Sequence, residues 1–127
     1  MATASDYAIA TDDGATLQPG VQPISRTFPF AVPQNVDLGQ IAVATYMIEV
    51  DGSPQGLAWN LRINDTQVRG FTHNQDRFSV IQEVFQGSVL RVGPNNNATV
   101  TVTGGSGRLR ISDIVIHFRV NVALQAA

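Results

Sequence analysis

Apolar and polar side chains alternate along most of this chain, and the dominant period is two. In LAWNLRIN, Leu57, Trp59, Leu61 and Ile63 share one face, and Ala58, Asn60, Arg62 and Asn64 share the other. This is the pattern of a strand with one face in a core. In NATVTVT, Ala98, Val100 and Val102 oppose Thr99, Thr101 and Thr103. In ISDIVIHFRVNV, the inward row is Ile114, Ile116, Phe118, Val120 and Val122, against Asp113, Val115, His117, Arg119 and Asn121. QIAVATYMIEV is apolar on both faces, which predicts a central strand covered on one side by the core and on the other by a loop or neighbour. ISRTFPFAV places Ile24, Phe28, Phe30 and Val32 in phase and Arg26 out of it. Pro29 has no N–H for a ladder, so this strand is expected at an edge or with a bulge. RFSVIQEVF also fits a helical turn through Val80, Ile81, Val84 and Phe85, and is read as a strand.

Gly, Pro and Asn clusters punctuate these runs: QPGVQP, DGSPQG, GPNNN and TGGSG. They read as turns. About eight short strands, separated by turns every ~8–12 residues, predict one all-β domain over 1–127. The architecture expected is an antiparallel β-sandwich of the jelly-roll type, with the first ~15 residues as an extended arm.

Composition narrows the chemistry. The 127 residues suffice for one domain with a proper core, and 14% charged residues is too few for a disordered chain. With no cysteine and two histidines, neither a disulfide framework nor a thiolate zinc site is available. Net charge is −2, all eight basic residues are arginine, and they are dispersed, so nucleic acid is not an expected partner. The missing lysine fits either a GC-rich genome or selection for interface arginines. No run approaches the ~20 apolar residues of a membrane helix. MATASDYAIATDDG has neither a basic n-region nor a long apolar run, so no secretory signal is expected. Synthesis in the cytoplasm, and incorporation into a particle, are the corresponding expectations.

From Ile41 onward the order of signals, WNLRIND, VRGF, FSVIQEVFQGSVLRVGPNN and ATVTVTGGSGRLRISDIVIHFRV, resembles the small galactose-binding-like jelly-roll modules found beside carbohydrate-active enzymes. RIND lacks the glycine of that pattern, and the later turn reads GPNN. The resemblance implies a sandwich fold. Such modules include sugar binders, protein binders and structural domains.

Catalytic constellations are sparse. Asp113 and His117 lie four apart on a strand, ~13 Å along the backbone, too far to hydrogen-bond directly. His73, Asp76 and Arg77 share the loop GFTHNQDRF with Ser79, but no glycine-flanked serine elbow is present. The two glutamates, Glu49 and Glu83, do not by themselves define a glycosidase pair. TDDGAT, with Asp12 and Asp13, does not match a calcium loop and reads as an acidic turn. No enzyme activity, cofactor or metal is therefore expected. The sequons at Asn64 (NDT) and Asn97 (NAT) read as chance matches.

What remains is recognition. Trp59 belongs to the inward row, leaving Tyr7, Tyr46 and Phe71 as candidate aromatic platforms. Polar ligand contacts are expected from Asn64, Asp65, His73, Asn74, Asp76 and Arg77, with Asn95, Asn96 and Asn97 nearby. A protein interface is expected over Thr99, Thr101 and Thr103 and at His117 and Arg119. The leading expectation is a non-enzymatic subunit that assembles with copies of itself, such as a structural, spike or attachment protein of a virus-like particle or filament. The alternative is a carbohydrate-binding module that reads a surface glycan through polar loops.

Overall fold

The computed structural model describes residues 2–123. The expectation that the VALQAA tail packs on a neighbour falls mostly on residues 124–127, outside the described residues. Seven strands make up the fold: β1 (Ala2–Thr11), β2 (Ala15–Leu17), β3 (Ser25–Val32), β4 (Ile41–Ile63), β5 (Thr66–His73), β6 (Arg77–Gln86) and β7 (Gly93–Val122). A single 3-10 turn, Gly87–Val89, joins β6 to β7, and no α-helix occurs among the described residues. Every pairing is antiparallel.

β4 and β7 are too long for one layer, and each passes through both. The first half of β4 pairs with β6 (Ile41↔Gln86 to Val50↔Arg77) and with the second half of β7 (Val43↔His117 to Asp51↔Arg108). The second half of β4 pairs with β5 (Leu57↔His73 to Ile63↔Thr66) and with the first half of β7 (Trp59↔Val102 to Ile63↔Ala98). One layer is therefore β6, β4, β7 and β1, with β2 continuing the line of β1. The other is β5, β4, β7 and β3. Two four-stranded layers with this chain order are a jelly roll.

DGSPQG and TGGSG, expected as turns between strands, are the corners at which β4 and β7 change layer. The β4 register shifts repeatedly between Asp51 and Trp59. Gly52, Ser53 and Gly56 take positive φ there, as do Gly105 and Gly107 in β7. The two corners touch: a Cβ on Gly105 would run into the Gly56 carbonyl, so only glycine fits.

The inward rows are those read from the alternation. Leu57, Trp59, Leu61, Ile63, Ala98, Val100, Val102, Ile114, Ile116, Phe118 and Val120 are all buried, and Val122 is half-buried at the end of its strand. β3 is an edge strand, paired only with β7, with a bulge between Phe30 and Val32 after Pro29. The β4 segment is central, between β6 and β7. RFSVIQEVF is a strand. The N-terminal segment corrects an expectation: Ala2–Thr11 is a sheet strand paired with β7 from Ala2↔Val122 to Thr11↔Ile114, not an extended arm. Its inward positions are mostly alanines, which bury too little surface to stand out in the sequence.

The residues expected to form one interface separate onto opposite outer faces. Thr99 and Thr101 lie outside the β3-containing layer, where their hydroxyls pair with Thr27 (3.1 Å) and Ser25 (2.9 Å). His117 and Arg119 lie outside the β1-containing layer. His117 Nε2 is 3.2 Å from the Thr45 hydroxyl, and Arg119 donates to the Ser5 hydroxyl and to Thr3. Thr99 and His117 therefore cannot serve a single flat contact.

Candidate functional site

Two polar clusters occupy opposite ends of β5, and the candidate ligand residues divide between them. Asn64 and Asp65 form the turn before β5, while His73, Asn74, Asp76 and Arg77 form its end and the turn into β6. The eight residues of β5 hold these ends roughly 23 Å apart. One small ligand cannot span both.

At the first end the amides are internal. Asn64, at φ 54°, donates through Nδ2 to the Val89 carbonyl (2.8 Å) and to Asn96 Oδ1 (3.1 Å). Its Oδ1 accepts the Asn97 N–H at 2.9 Å. Asn96 is fully buried. Its Oδ1 also accepts the Arg91 N–H (2.8 Å), and its Nδ2 donates to the carbonyls of Arg91 (2.7 Å) and Gly93 (3.1 Å). The Asn96 side chain has no hydrogen-bonding capacity left for a ligand and both Nδ2 hydrogens of Asn64 are engaged, so the expectation of ligand contacts from Asn64 and Asn96 is corrected: they fasten the loop before β7 onto the β4–β5 turn. The same bonds occupy the Asn64 sequon nitrogen. Asp65 pairs with Arg91 at 3.2 Å in the open, and Asn95 is exposed beside it.

The other end is built on the core. Trp59 is 2% exposed, and its Nε1 donates to His73 Nε2 at 2.9 Å. His73 is itself buried. Trp59, Phe71 and His73 lie nearly parallel, with Trp59 and Phe71 centroids 4.8 Å apart and Phe71 and His73 5.6 Å apart. Tyr46 meets the indole edge-on at 6.1 Å. The Arg69 guanidinium covers Phe71 at 4.8 Å and reaches Glu83 at 3.4 Å, closing the flank between β5 and β6.

This geometry fixes the state of His73. Because Nε2 accepts from the indole, the ring proton sits on Nδ1. Burial, and then the charge of Arg77, pull its pKa below the ordinary 6.5. Its basic lone pair is engaged by Trp59, so His73 has no free nitrogen with which to activate Ser79. The Ser79 hydroxyl instead accepts from Arg77 Nε at 2.9 Å. Tyr46 is pushed well above its ordinary range by burial, with the Glu83 carboxylate adding to it, and its hydroxyl has no partner among the described residues.

Above this platform the β5–β6 turn is held but open. Asn74 Oδ1 accepts the Gly56 N–H at 2.8 Å, tying the turn to the β4 corner. Thr72, His73, Asn74, Gln75, Asp76 and Arg77 line a shallow depression of about 370 Å³. Asp76 and Arg77 also border a second one, about 280 Å³, whose other walls are Glu49, Val50, Asp51 and Phe78. Phe78 is 67% exposed. Phe78 does not stand out in the sequence as an aromatic platform. The available signal was phase: Phe78 lies out of step with Ile81 and Phe85, so it points away from the core. Trp59, Tyr46 and Phe71 are covered, and Tyr7 is exposed but belongs to the distant β1. Asp51, beside the second depression, is held below its usual range by its hydrogen bonds to Arg108 (2.7 and 2.9 Å).

No family model matches the sequence, and no curated protein matches it either. Solved structures do share its fold. The chain superposes on part of the dimeric latent PorU from Porphyromonas gingivalis with a TM-score of 0.67 at 8% identity, over 95% of this chain and 13% of that one. It superposes on part of BuGH86, solved in complex with neoagarooctaose, with a TM-score of 0.62 at 16% identity, over 92% of this chain and 19% of that one. A sugar-binding protein, the EclA C-terminal domain, matches with a TM-score of 0.50 at 13% identity, over 91% of this chain and 79% of that one. The chain thus spans less than a fifth of the length of the first two. These likenesses are of fold. They agree with the galactose-binding-like resemblance at the level of a β-sandwich that occurs in carbohydrate-related proteins.

Proposed function

We propose that this chain is a non-catalytic glycan-binding module that holds its ligand at the β5–β6 turn through Asp76, Arg77 and Phe78. The observation that carries this reading is the exposed Phe78 ring beside Asp76 and Arg77 in one depression. A sugar presents an apolar C–H face and a rim of hydroxyls that donate and accept. The ring suits the C–H face, the Asp76 carboxylate accepts, and the Arg77 guanidinium donates. The Asn74–Gly56 and Trp59–His73 bonds fix the turn before any ligand arrives, which lowers the ordering cost of binding. The sugar-bound and sugar-binding proteins that share the fold support this reading more than the particle-subunit one.

The test is a glycan array followed by calorimetry on the glycans retained. Asp76→Ala and Phe78→Ala should each weaken binding about tenfold or more, the loss of one charged hydrogen bond or one stacking contact. Asp65→Ala, at the far end of β5, should leave affinity unchanged. An empty array, or affinity indifferent to Asp76 and Phe78, defeats the proposal.

A further inference from the structure

Large exposed apolar side chains are not scattered over this molecule. Of the eight among the described residues, Tyr7 (61%), Ile9 (50%), Ile41 (58%), Val80 (70%) and Val84 (64%) stand on the outer face of the β1-containing layer. Phe78 sits at the rim of that same face. The outer face of the other layer is polar: hydroxyls and an amide from Ser25, Thr27, Asn60, Thr99 and Thr101, and the Arg62 guanidinium. One sandwich therefore has a water-adapted side and an apolar side, and an apolar patch of this extent marks a contact surface.

The registers place the apolar residues in adjoining rows. Val84, Val43, His117 and Tyr7 form one row across the sheet, and Gln82, Thr45, Val115 and Ile9 form the next. Neither row contains a carboxylate or a guanidinium. Towards one end of the face Glu49 pairs with Arg110 at 3.5 Å and Asp51 with Arg108 at 2.7 Å, and the exposed Asp113 carboxylate accepts from the Ser112 hydroxyl at 3.3 Å. At the other end Arg119 is bonded to Ser5 and Thr3.

We infer that this face packs against the same face of a second copy of the chain, in a two-fold dimer with the β1-containing layers stacked. Charge narrows the choice of occupant. A basic or acidic partner finds no free counter-charge in the central rows, whereas a two-fold copy lays an uncharged surface on an identical one. Size permits it. Four strands at about 4.8 Å, over nine residues at about 3.3 Å, cover roughly 570 Å² in projection. Relief from the side chains brings this towards the ~800 Å² per partner of a standard interface. The β5–β6 turns stay at the rim of such a dimer, two sites on one particle, where a shared glycan surface would be gripped with avidity.

Sedimentation equilibrium on the full chain, from low to high micromolar, tests this. The wild type should fit a dimer. Val80→Glu, on the β6 edge, and Ile9→Glu, on β1 at the opposite side of the sheet, should each weaken association at least a hundredfold. Thr103→Glu, on the other layer, should not. Thermal melts of the monomeric variants should show retained folding, because each substituted side chain is exposed. Loss of the dimer with Val80→Glu but not with Ile9→Glu would mean that β6 edges pair side by side, and would overturn the face-to-face arrangement. A wild type that stays monomeric throughout overturns the dimer itself.

Discussion

Trp59 shows how one residue links fold to site. Its alternation with Leu57, Leu61 and Ile63 places the indole in the core, and the structure seats it at 2% exposure with His73 as its hydrogen-bond acceptor. Trp59→Ala should cost about 3–5 kcal/mol in a denaturant melt, the usual range for deleting a core aromatic. Acrylamide should quench the native indole weakly. Strong quenching together with a small stability loss would mean a displayed ring and a different register. His73 adds a pH dependence with a definite sign. Its folded pKa lies below 6.5, so the unfolded state binds the proton more readily. Its contribution is full above the ordinary histidine range and is lost as pH falls from about 6.5 towards the lowered folded value. Melting temperatures of the wild type should fall across that window by more than those of His73→Gln. Equal slopes would show that His73 is not the group responsible.

Among the elements, the alternation read from sequence located most of the strands but not what they do at their ends. LAWNLRIN was legible because one face is fully buried and the other polar. RFSVIQEVF was ambiguous because Phe78, Val80 and Val84 face outward while Ile81 and Phe85 face inward, leaving apolar residues on both sides. β1 was missed because its inward side chains are alanines. DGSPQG and TGGSG carry turn chemistry, but nothing local distinguishes a turn that ends a strand from a corner that bends one. The asparagines illustrate the same limit. Asn64 and Asn96 read as polar loop residues, like Asn74, and only contacts 25 or more residues away reveal that they fasten the loop. Asn96→Ala should therefore behave as a core mutation. With its hydrogen bonds to Arg91, Gly93 and Asn64 removed, the loss should be about 3 kcal/mol or more, read from chemical denaturation. A loss below about 0.5 kcal/mol would show that water replaces the amide.

For the whole molecule, layer order and outer faces could not be read from any single segment. They depend on β4 and β7 pairing along their whole length, across sequence separations of about 35 to 75 residues. That pairing sends Thr99 and His117 to opposite sides and separates the two polar clusters. It also leaves Asp76, Arg77 and Phe78 on an open rim above a rigid base. The polar run after LAWNLRIN was legible as a cluster of candidate ligand residues, although eight of its positions form β5. Which of its residues stay available to a ligand was not, because availability depends on partners that arrive from distant strands.

Glycan binding by this chain stands or falls with the β5–β6 turn as the binding surface. Titrating the isotopically labelled chain with a glycan retained on the array, and following backbone amide shifts residue by residue, tests it most directly. The largest shifts should cluster at Asn74, Asp76, Arg77 and Phe78, with the amides of Asn64, Asn96 and Thr99 unmoved. Shifts centred on the Asn60, Thr99 and Thr101 face, or on the Asn64–Asn96 cluster, would contradict it.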